Sequence, residues 1–143
     1  MAAPVTYRRK IRYSDTDAQG IVFNGNYFTY FDDALTDLLE AAGLTAATMH
    51  DAGFDMVTAH VEIDFKSAAT LGETVVTEAK VDRVGTASVT FSLQARVEAD
   101  GRLAASGEVV FVTVDAETMR PVRVPDSVVA AFREIQDDPI ATG

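Results

Sequence analysis

The clearest pattern along the chain is a stripe of apolar residues at helical spacing between positions 27 and 42. Its members recur three or four residues apart: Tyr27, Phe28, Phe31, Leu35, Leu38, Leu39 and Ala42. This period puts them on one face of an α-helix. Either Asn24 or Asn26 is suited to cap the start of that helix, and Gly43 is suited to end it. The width of the apolar face predicts a helix that is largely buried.

Five other segments have the composition or the apolar–polar alternation that is typical of β-strands. They span residues 5–13, 57–66, 75–83, 88–97 and 103–114. Gly85 and the pair Asp100-Gly101 predict tight turns between the last three of these segments. Residues 109–114 are apolar on both faces, so we expect the fifth strand to be covered on both sides.

Two shorter helices are predicted over residues 45–51 and 127–135, with Asp126 as the cap of the second. Residues 137–143 are expected to form a loose tail. Consecutive strands joined by short turns favour an antiparallel sheet, and the one long apolar helix must pack against it. These elements together predict an α+β fold.

We expect a single domain over residues 1–143, with its core at about 6–132. The edges of its sheet would expose unpaired backbone groups. Pairing of two copies would cover an edge and bury the second or the fifth strand. We therefore expect at least a dimer.

Composition narrows the chemistry available to the chain. It has 143 residues and no cysteine, which excludes disulfide bonds, thiolate metal ligands and a cysteine nucleophile. With two histidines, a three-histidine metal site cannot be built within one chain. The net charge of −10 gives no overall attraction to nucleic acid or to an anionic membrane. No stretch reaches the ~20 apolar residues of a membrane span or resembles a signal peptide, so we expect a cytoplasmic protein.

Polar residues with catalytic potential are densest at positions 14–20, just before the long helix. Asp15 and Asp17 place two carboxylates there, close to a helix N-terminus. The free N–H groups of a helix start can stabilise an oxyanion, and a nearby carboxylate can act as nucleophile or base. The alternative is that the two aspartates are plain loop and capping residues, which is the commoner role of a D-x-D loop. A calcium loop is excluded, because Asn26 occupies the position that needs a bidentate glutamate.

Other polar residues of the chain are better explained by structural roles than by catalysis. The basic cluster at residues 8–12 is best explained as an exposed strand face that pairs with neighbouring strands, rather than as a phosphate site. His60 falls on the polar side of the second strand, which favours a surface or interface position over a catalytic one. The sequence contains no G-x-S-x-G, P-loop or G-x-G-x-x-G motif.

An apolar helix and four strands follow the segment R-Y-S-D-T-D-A-Q-G-I-V-F-N-G-N-Y. With this segment and this order of elements, the chain resembles the 4-hydroxybenzoyl-CoA thioesterase family of hot-dog folds, especially the branch of Tol-Pal-associated acyl-CoA thioesterases. The resemblance covers about residues 6–132. It implies a five-stranded antiparallel sheet wrapped around one long central helix, with the short C-terminal helix predicted above. It also implies dimers with joined sheets, often paired into tetramers, and active sites at the subunit interface.

The resemblance assigns roles to residues of the loop. Asp17 matches the family's catalytic carboxylate and would act as nucleophile or as general base toward water. Backbone N–H groups at Asn24 and Gly25 would polarise the thioester carbonyl. Several relatives carry histidine at the position that Asn24 occupies in this chain. Asparagine cannot act as an acid or a base, so a histidine-dependent mechanism is excluded at this position. Tyr27 and His60 are expected to bind substrate, and no metal or redox cofactor is implied.

Coenzyme A binding is expected at the turn between the third and fourth strands, where some relatives carry several basic residues. Here the turn offers Arg83, Gly85, Thr86 and Ser88. Only one of these is basic, which leaves three alternatives: weaker nucleotide binding, binding through backbone N–H groups and Ser88, or the help of a further cation, Lys66 or Arg120.

We therefore predict a homo-oligomeric thioesterase that hydrolyses an aromatic or a short- or medium-chain acyl-CoA to the free acid and CoA. Two alternatives stay open. One is a thioesterase for acyl chains on a carrier protein, although an acidic carrier would be repelled by the negative charge of this chain. The other is a non-catalytic acyl-binding protein, against which the presence of Asp17 argues.

Overall fold

The computed structural model of the protein describes residues 3–143. Its elements follow one another as β1 (Val5–Lys10), α1 (Asn24–Ala41), α2 (Ala46–Asp51), β2 (Phe54–Phe65), β3 (Thr74–Val84), β4 (Ser88–Val97), β5 (Leu103–Asp115), α3 (Asp126–Ile135) and β6 (Ala141–Thr142). One long helix, two short helices and an antiparallel sheet make up an α+β fold, as predicted. No helix of the described chain is both long and apolar enough to cross a membrane.

The main sheet has the strand order β1-β3-β4-β5-β2, and every pair in it is antiparallel. β1 ends at Lys10, three residues before the predicted end, because a 3₁₀ turn over Tyr13–Asp15 follows it. β5 lies between β4 and β2. The expectation that a second copy could bury the fifth strand is therefore wrong, since both edges of β5 are already paired within the chain. β2 is the edge strand on that side.

α1 packs on one face of the sheet and supplies much of the core. Six of its residues are buried: Tyr27, Tyr30, Phe31, Ala34, Leu35 and Leu38. The helix lies close to the sheet at Gly107 of β5, where an added Cβ would lie 2.9 Å from the ring of Phe31 and would collide with the carbonyl oxygen of Glu62. A larger residue at this position would push α1 away from the sheet and disturb the core.

The two ends of α1 follow the sequence prediction to different degrees. The predicted cap by Asn24 or Asn26 is wrong, since Phe23 precedes the helix without a side-chain cap. The Asn26 amide group instead donates to the carbonyl oxygen of Asp15 at 2.8 Å. At the other end Gly43 has a φ of +75°, as expected of a glycine that terminates a helix.

The C-terminal part of the chain is tied to the sheet. α3 includes Asp126 as its first residue rather than as its cap. The side chain of Gln136 donates to the carbonyl oxygen of Val81 at 2.8 Å and accepts from its N–H at 2.9 Å. Residues 141–142 then pair in parallel with the end of β3. The predicted loose tail over 137–143 is wrong for these two residues, because β3 extends past β1 and offers unpaired backbone groups there.

Candidate functional site

The loop between β1 and α1 is a closed turn held by its own backbone. Thr16 and Val22 form an antiparallel bridge across its base. Inside this bridge the Asp17 N–H donates to the carbonyl oxygen of Ile21 at 2.9 Å, and the Gly20 N–H donates to that of Asp17 at 3.0 Å. Gly20 has a φ of +77°, which glycine adopts without steric cost and which the tight turn requires. The loop therefore holds Asp17 in one place, a few residues before α1.

The first of the two aspartates, Asp15, is buried and fully engaged. Its carboxylate accepts hydrogen bonds from the Arg9 guanidinium, the Arg12 N–H and the Tyr30 hydroxyl. Burial by itself would raise the pKa of Asp15, but these hydrogen bonds outweigh it and hold that pKa below its usual value. A carboxylate whose oxygens are occupied by protein donors has no free position for a substrate or a water, so Asp15 has a structural role.

The basic cluster at residues 8–12 divides between the two faces of β1. Arg8 is exposed and pairs with Glu98 at 2.7 Å, as expected for a strand face that contacts its neighbours. Arg9 lies on the α1 side and pairs with Asp15 at 3.0 Å. The exposed position expected for the whole cluster is therefore wrong for Arg9, because neighbouring side chains of a strand point to opposite faces.

The second aspartate, Asp17, is half-buried and sparsely bonded. Its Oδ1 accepts the N–H of Gln19 at 2.8 Å. Within residues 3–143 the Asp17 carboxylate accepts no other hydrogen bond and forms no ion pair. One of its oxygens is therefore available to a ligand.

α1 begins immediately after the loop and presents free N–H groups at that point. Asn24 and Gly25 are exposed, and the N–H groups of a first helical turn have no acceptor within the helix. The helix dipole adds a partial positive charge, which no acidic residue of the first turn neutralises. This arrangement can bind a carbonyl oxygen and stabilise negative charge that develops on it.

Two further residues of the predicted site have different surroundings. Tyr27 is 3% exposed, and its ring centroid lies 5.6 Å from that of Tyr30 and 5.9 Å from that of Phe65. Its hydroxyl has no hydrogen-bond partner within the described residues. His60 is exposed on the edge strand β2, 2.9 Å from Glu62. The substrate-binding roles of Tyr27 and His60 stay predictions.

A cavity of about 600 Å³ lies between the β3–β4 turn and α3, and we call it the α3 cavity. Gly85 and Thr86 of the turn line it, together with Arg123 and Arg133. Arg123 lies 3.7 Å from Asp126, and both of these side chains are largely exposed. Arg133 forms no ion pair within the part of the chain that the structure describes. The charged side chains that line the cavity are thus two arginines and Asp126, a net positive charge in a chain whose net charge is −10.

The remaining residues of the predicted turn lie close to the cavity but make contacts of their own. Arg83 donates to the carbonyl oxygen of Gly143 at 2.7 Å. Ser88 accepts the N–H of Gly85 on its carbonyl oxygen at 2.8 Å, which closes the turn. Their contribution to substrate binding stays a prediction.

Sequence reasoning missed the two arginines of the α3 cavity. The further cations that it named, Lys66 and Arg120, do not line the cavity. Arg123 lies just before α3 and Arg133 lies within it. In the fold α3 packs beside the β3–β4 turn, although the two are far apart in the sequence. The one local signal is that they are basic residues in an acidic chain, and that signal does not say which surface they join.

Comparisons with known proteins agree with this architecture. A family model described as the thioesterase-like superfamily matches residues 11–132. The acyl-CoA thioesterase YbgC of Haemophilus influenzae is 29% identical over 128 residues, which cover 89% of this chain and 93% of that protein. The 1,4-dihydroxy-2-naphthoyl-CoA hydrolase of a Synechococcus species is 28% identical over 126 residues, covering 84% of this chain and 83% of that protein.

The fold is also that of solved structures. The 1,4-dihydroxy-2-naphthoyl-CoA thioesterase Slr0204 from Synechocystis matches with a TM-score of 0.84 at 18% sequence identity, over 96% of this chain and 100% of that one. This likeness confirms the predicted hot-dog fold, with its sheet against one long helix. The predicted class of enzyme, a thioesterase, is confirmed by the family match, which spans the loop, α1, the four strands from β2 to β5 and most of α3. The chain therefore belongs to the thioesterase-like superfamily of hot-dog folds.

Proposed function

We propose that this protein hydrolyses an acyl-CoA, with an aromatic or a short- or medium-chain acyl group, to the free acid and CoA. Asp17 supplies the reacting carboxylate, and the N–H groups of Asn24 and Gly25 bind the carbonyl oxygen. The observation that carries the proposal is a sparsely bonded carboxylate in a closed loop directly before a helix N-terminus with free N–H groups. The similarity to an acyl-CoA thioesterase of Haemophilus influenzae supports the substrate class. The loop sequence supports the 4-hydroxybenzoyl-CoA, Tol-Pal-associated branch.

Two routes use the same groups. In the first, an oxygen of Asp17 bonds to the thioester carbonyl carbon and the C–S bond breaks, so that CoA leaves as its thiolate. Water then cleaves the mixed anhydride and restores the carboxylate. In the second, Asp17 takes a proton from a water that attacks the same carbon, and that proton passes to the departing thiolate. Negative charge builds on the carbonyl oxygen in both routes, where the helix N–H groups stabilise it.

The α3 cavity is suited to the anionic end of CoA, which carries a diphosphate and a 3′-phosphate. Arg123 and Arg133 supply charge for these groups, and a guanidinium can bind a phosphate through two parallel hydrogen bonds. The backbone of Gly85 and Thr86 lies on the same wall. Apolar side chains such as Val129 line the cavity as well and can contact the adenine ring.

We expect the active enzyme to be a homo-oligomer joined through β2. This strand is an edge within the described chain, and Phe65 at its end and Phe28 on α1 are 51% and 47% exposed. A second copy laid along β2 would remove these rings from water and would place His60 at the junction. A pairing of dimers into tetramers and a cytoplasmic location stay predictions.

The proposal is tested by free-thiol release from a panel of aromatic, short-chain and long-chain acyl-CoA esters. We expect turnover of at least one ester, with stoichiometric release of CoA and free acid. The same acyl group carried on a carrier protein should react more slowly than the CoA ester. No thiol release from any CoA ester, with fast release from the carrier-bound form, would contradict the proposal.

A further inference from the structure

Asp15 joins three parts of the molecule through its side chain. The Arg9 guanidinium of β1 donates to both carboxylate oxygens at 3.0 Å. The Arg12 N–H, in the chain leading to the 3₁₀ turn, donates to Oδ2 at 2.8 Å. The Tyr30 hydroxyl of α1 donates to Oδ1 at 2.9 Å. Burial and the hydrogen bond to the charged Asp15 carboxylate raise the pKa of Tyr30, so its hydroxyl stays protonated and remains a donor.

The backbone of Asp15 fastens the start of α1 as well. Its carbonyl oxygen accepts the Phe23 N–H at 2.9 Å and the amide group of Asn26 at 2.8 Å. Phe23 is the last residue before α1, and Asn26 lies in its first turn. Asp17 follows Asp15 by two residues. One buried residue thus holds both the loop that carries Asp17 and the helix start that carries the free N–H groups.

We propose that Asp15 is a positioning residue, which sets the separation between the Asp17 carboxylate and the N–H groups of Asn24 and Gly25. This inference rests on the proposed function. Asp15 does not touch substrate, because its oxygens already accept protein hydrogen bonds. It acts through Asp17 and the helix start, and the rate depends on that separation because a shift of about 1 Å can cost about 100-fold.

The charge of Asp15 is needed as well as its shape. Asparagine has nearly the same size, but it presents one acceptor oxygen and one N–H₂ group. The N–H₂ group would face a donor, since Arg9, Arg12 and Tyr30 all donate to this side chain. A change of Asp15 to asparagine therefore keeps the volume of the core while loosening the joint between β1, the loop and α1.

The experiment compares kcat and KM for wild type, Asp15→Asn, Tyr30→Phe and Leu38→Val on one reactive acyl-CoA. Asp15→Asn should lower kcat by about 10-fold to 100-fold with KM within about threefold, and Tyr30→Phe should lower kcat by about threefold. Leu38 is buried in α1 and lies 14 positions after Asn24, which corresponds to about 21 Å of helix. Leu38→Val should lower the melting temperature and leave kcat unchanged.

A double variant separates positioning from general damage. If Asp15 acts through Asp17, Asp15→Asn should cost less than about threefold when it is added to Asp17→Asn. The inference would be overturned if Asp15→Asn lowered kcat by the same factor in wild type and in Asp17→Asn. It would also be overturned if Leu38→Val, at the same melting temperature as Asp15→Asn, lost as much kcat as Asp15→Asn does.

Hydrogen exchange supplies a readout that does not need turnover. The amide groups of residues 16–25 should exchange faster in Asp15→Asn than in wild type, while those of α3 stay unchanged. Unchanged exchange over residues 16–25 would overturn the inference by itself. If the proposed function itself is wrong, wild type would not hydrolyse acyl-CoA esters, but the amide groups of residues 16–25 would still exchange faster in Asp15→Asn than in wild type.

Discussion

The loop before α1 and the α3 cavity differ in the groups that they present to a ligand and in how firmly those groups are held. The loop contains carboxylates and backbone N–H groups, and buried hydrogen bonds around Asp15 hold it. The α3 cavity is open and has two arginines, of which Arg123 is exposed and lies 3.7 Å from its acidic neighbour. The first region suits a reaction that depends on exact placement, and the second suits the retention of charge.

This difference predicts that the loop determines kcat and that the α3 cavity determines KM. Donors held in place before the reaction stabilise the transition state more than the bound substrate, so their loss lowers kcat. Exposed cations hold the substrate and the transition state equally, so their loss raises KM. Changes in the loop should therefore act on every thioester, and changes in the α3 cavity only on thioesters that carry the nucleotide of CoA.

Replacement of Asn24 by proline tests the loop side of this comparison and should lower kcat more than any change in the α3 cavity. Proline has no N–H and is favoured at the first residue of a helix, and Phe23 already has the ψ of 134° that suits the residue before a proline. Asn24→Pro should lower kcat by about 100-fold to 1,000-fold relative to Asn24→Ala, which keeps the N–H. Steady-state thiol release measures both. Equal kcat values would show that this N–H does not bind the oxyanion.

Removal of both arginines tests the other side. The double variant Arg123→Ala/Arg133→Ala should raise KM for an acyl-CoA by about 10-fold to 100-fold and keep kcat within about threefold. The matching acyl-pantetheine ester lacks the nucleotide and should react equally well with both proteins. A rise in KM for both esters would contradict the assignment of the α3 cavity to the nucleotide.

The stability of the loop should depend on pH through Asp15. The pKa of Asp15 is lower in the folded protein than its usual value, so its stabilisation is complete above about pH 5 and is lost as the pH falls below about 4. The free energy of unfolding of wild type should exceed that of Asp15→Asn by about 2 kcal/mol at neutral pH. Denaturant unfolding should show this difference shrinking toward pH 3. A difference that stays constant to that pH would refute the contribution of the ionised carboxylate.

Salt should have the smallest effect and should again separate the two regions. An increase in sodium chloride from about 0.05 M to about 0.5 M should raise KM for an acyl-CoA by about threefold, because exposed charges are screened. KM for the acyl-pantetheine ester should not change. Equal salt dependence for the two esters would mean that the arginines do not contact the phosphates.

The main elements are predictable because their signals are local. The apolar period of residues 27–42 predicts α1, since burial of one face stabilises a helix wherever it packs. The ends of the elements are less predictable. Asn26 has the side chain of a capping residue, but in the folded chain its amide group donates to the carbonyl oxygen of Asp15 instead. The pairing of residues 141–142 with β3 likewise depends on how far β1 extends, which the sequence does not show.

The candidate site was only partly predictable. Spacing alone leaves Asp15 and Asp17 equivalent, and the family resemblance chose Asp17. The fold distinguishes them because Arg9 and Tyr30, from elements on either side of the loop, both reach Asp15. Such convergence of distant residues has no local signature in the sequence.

The most direct test of the central claim is kcat for thiol release by wild type and by Asp17→Asn, on the best acyl-CoA found in the panel. The two proteins should share one oligomeric state and one melting temperature, because the Asp17 carboxylate accepts only the N–H of Gln19 within the described chain. Asp17→Asn should lower kcat by at least about 1,000-fold. Turnover by Asp17→Asn at the wild-type rate would contradict the account.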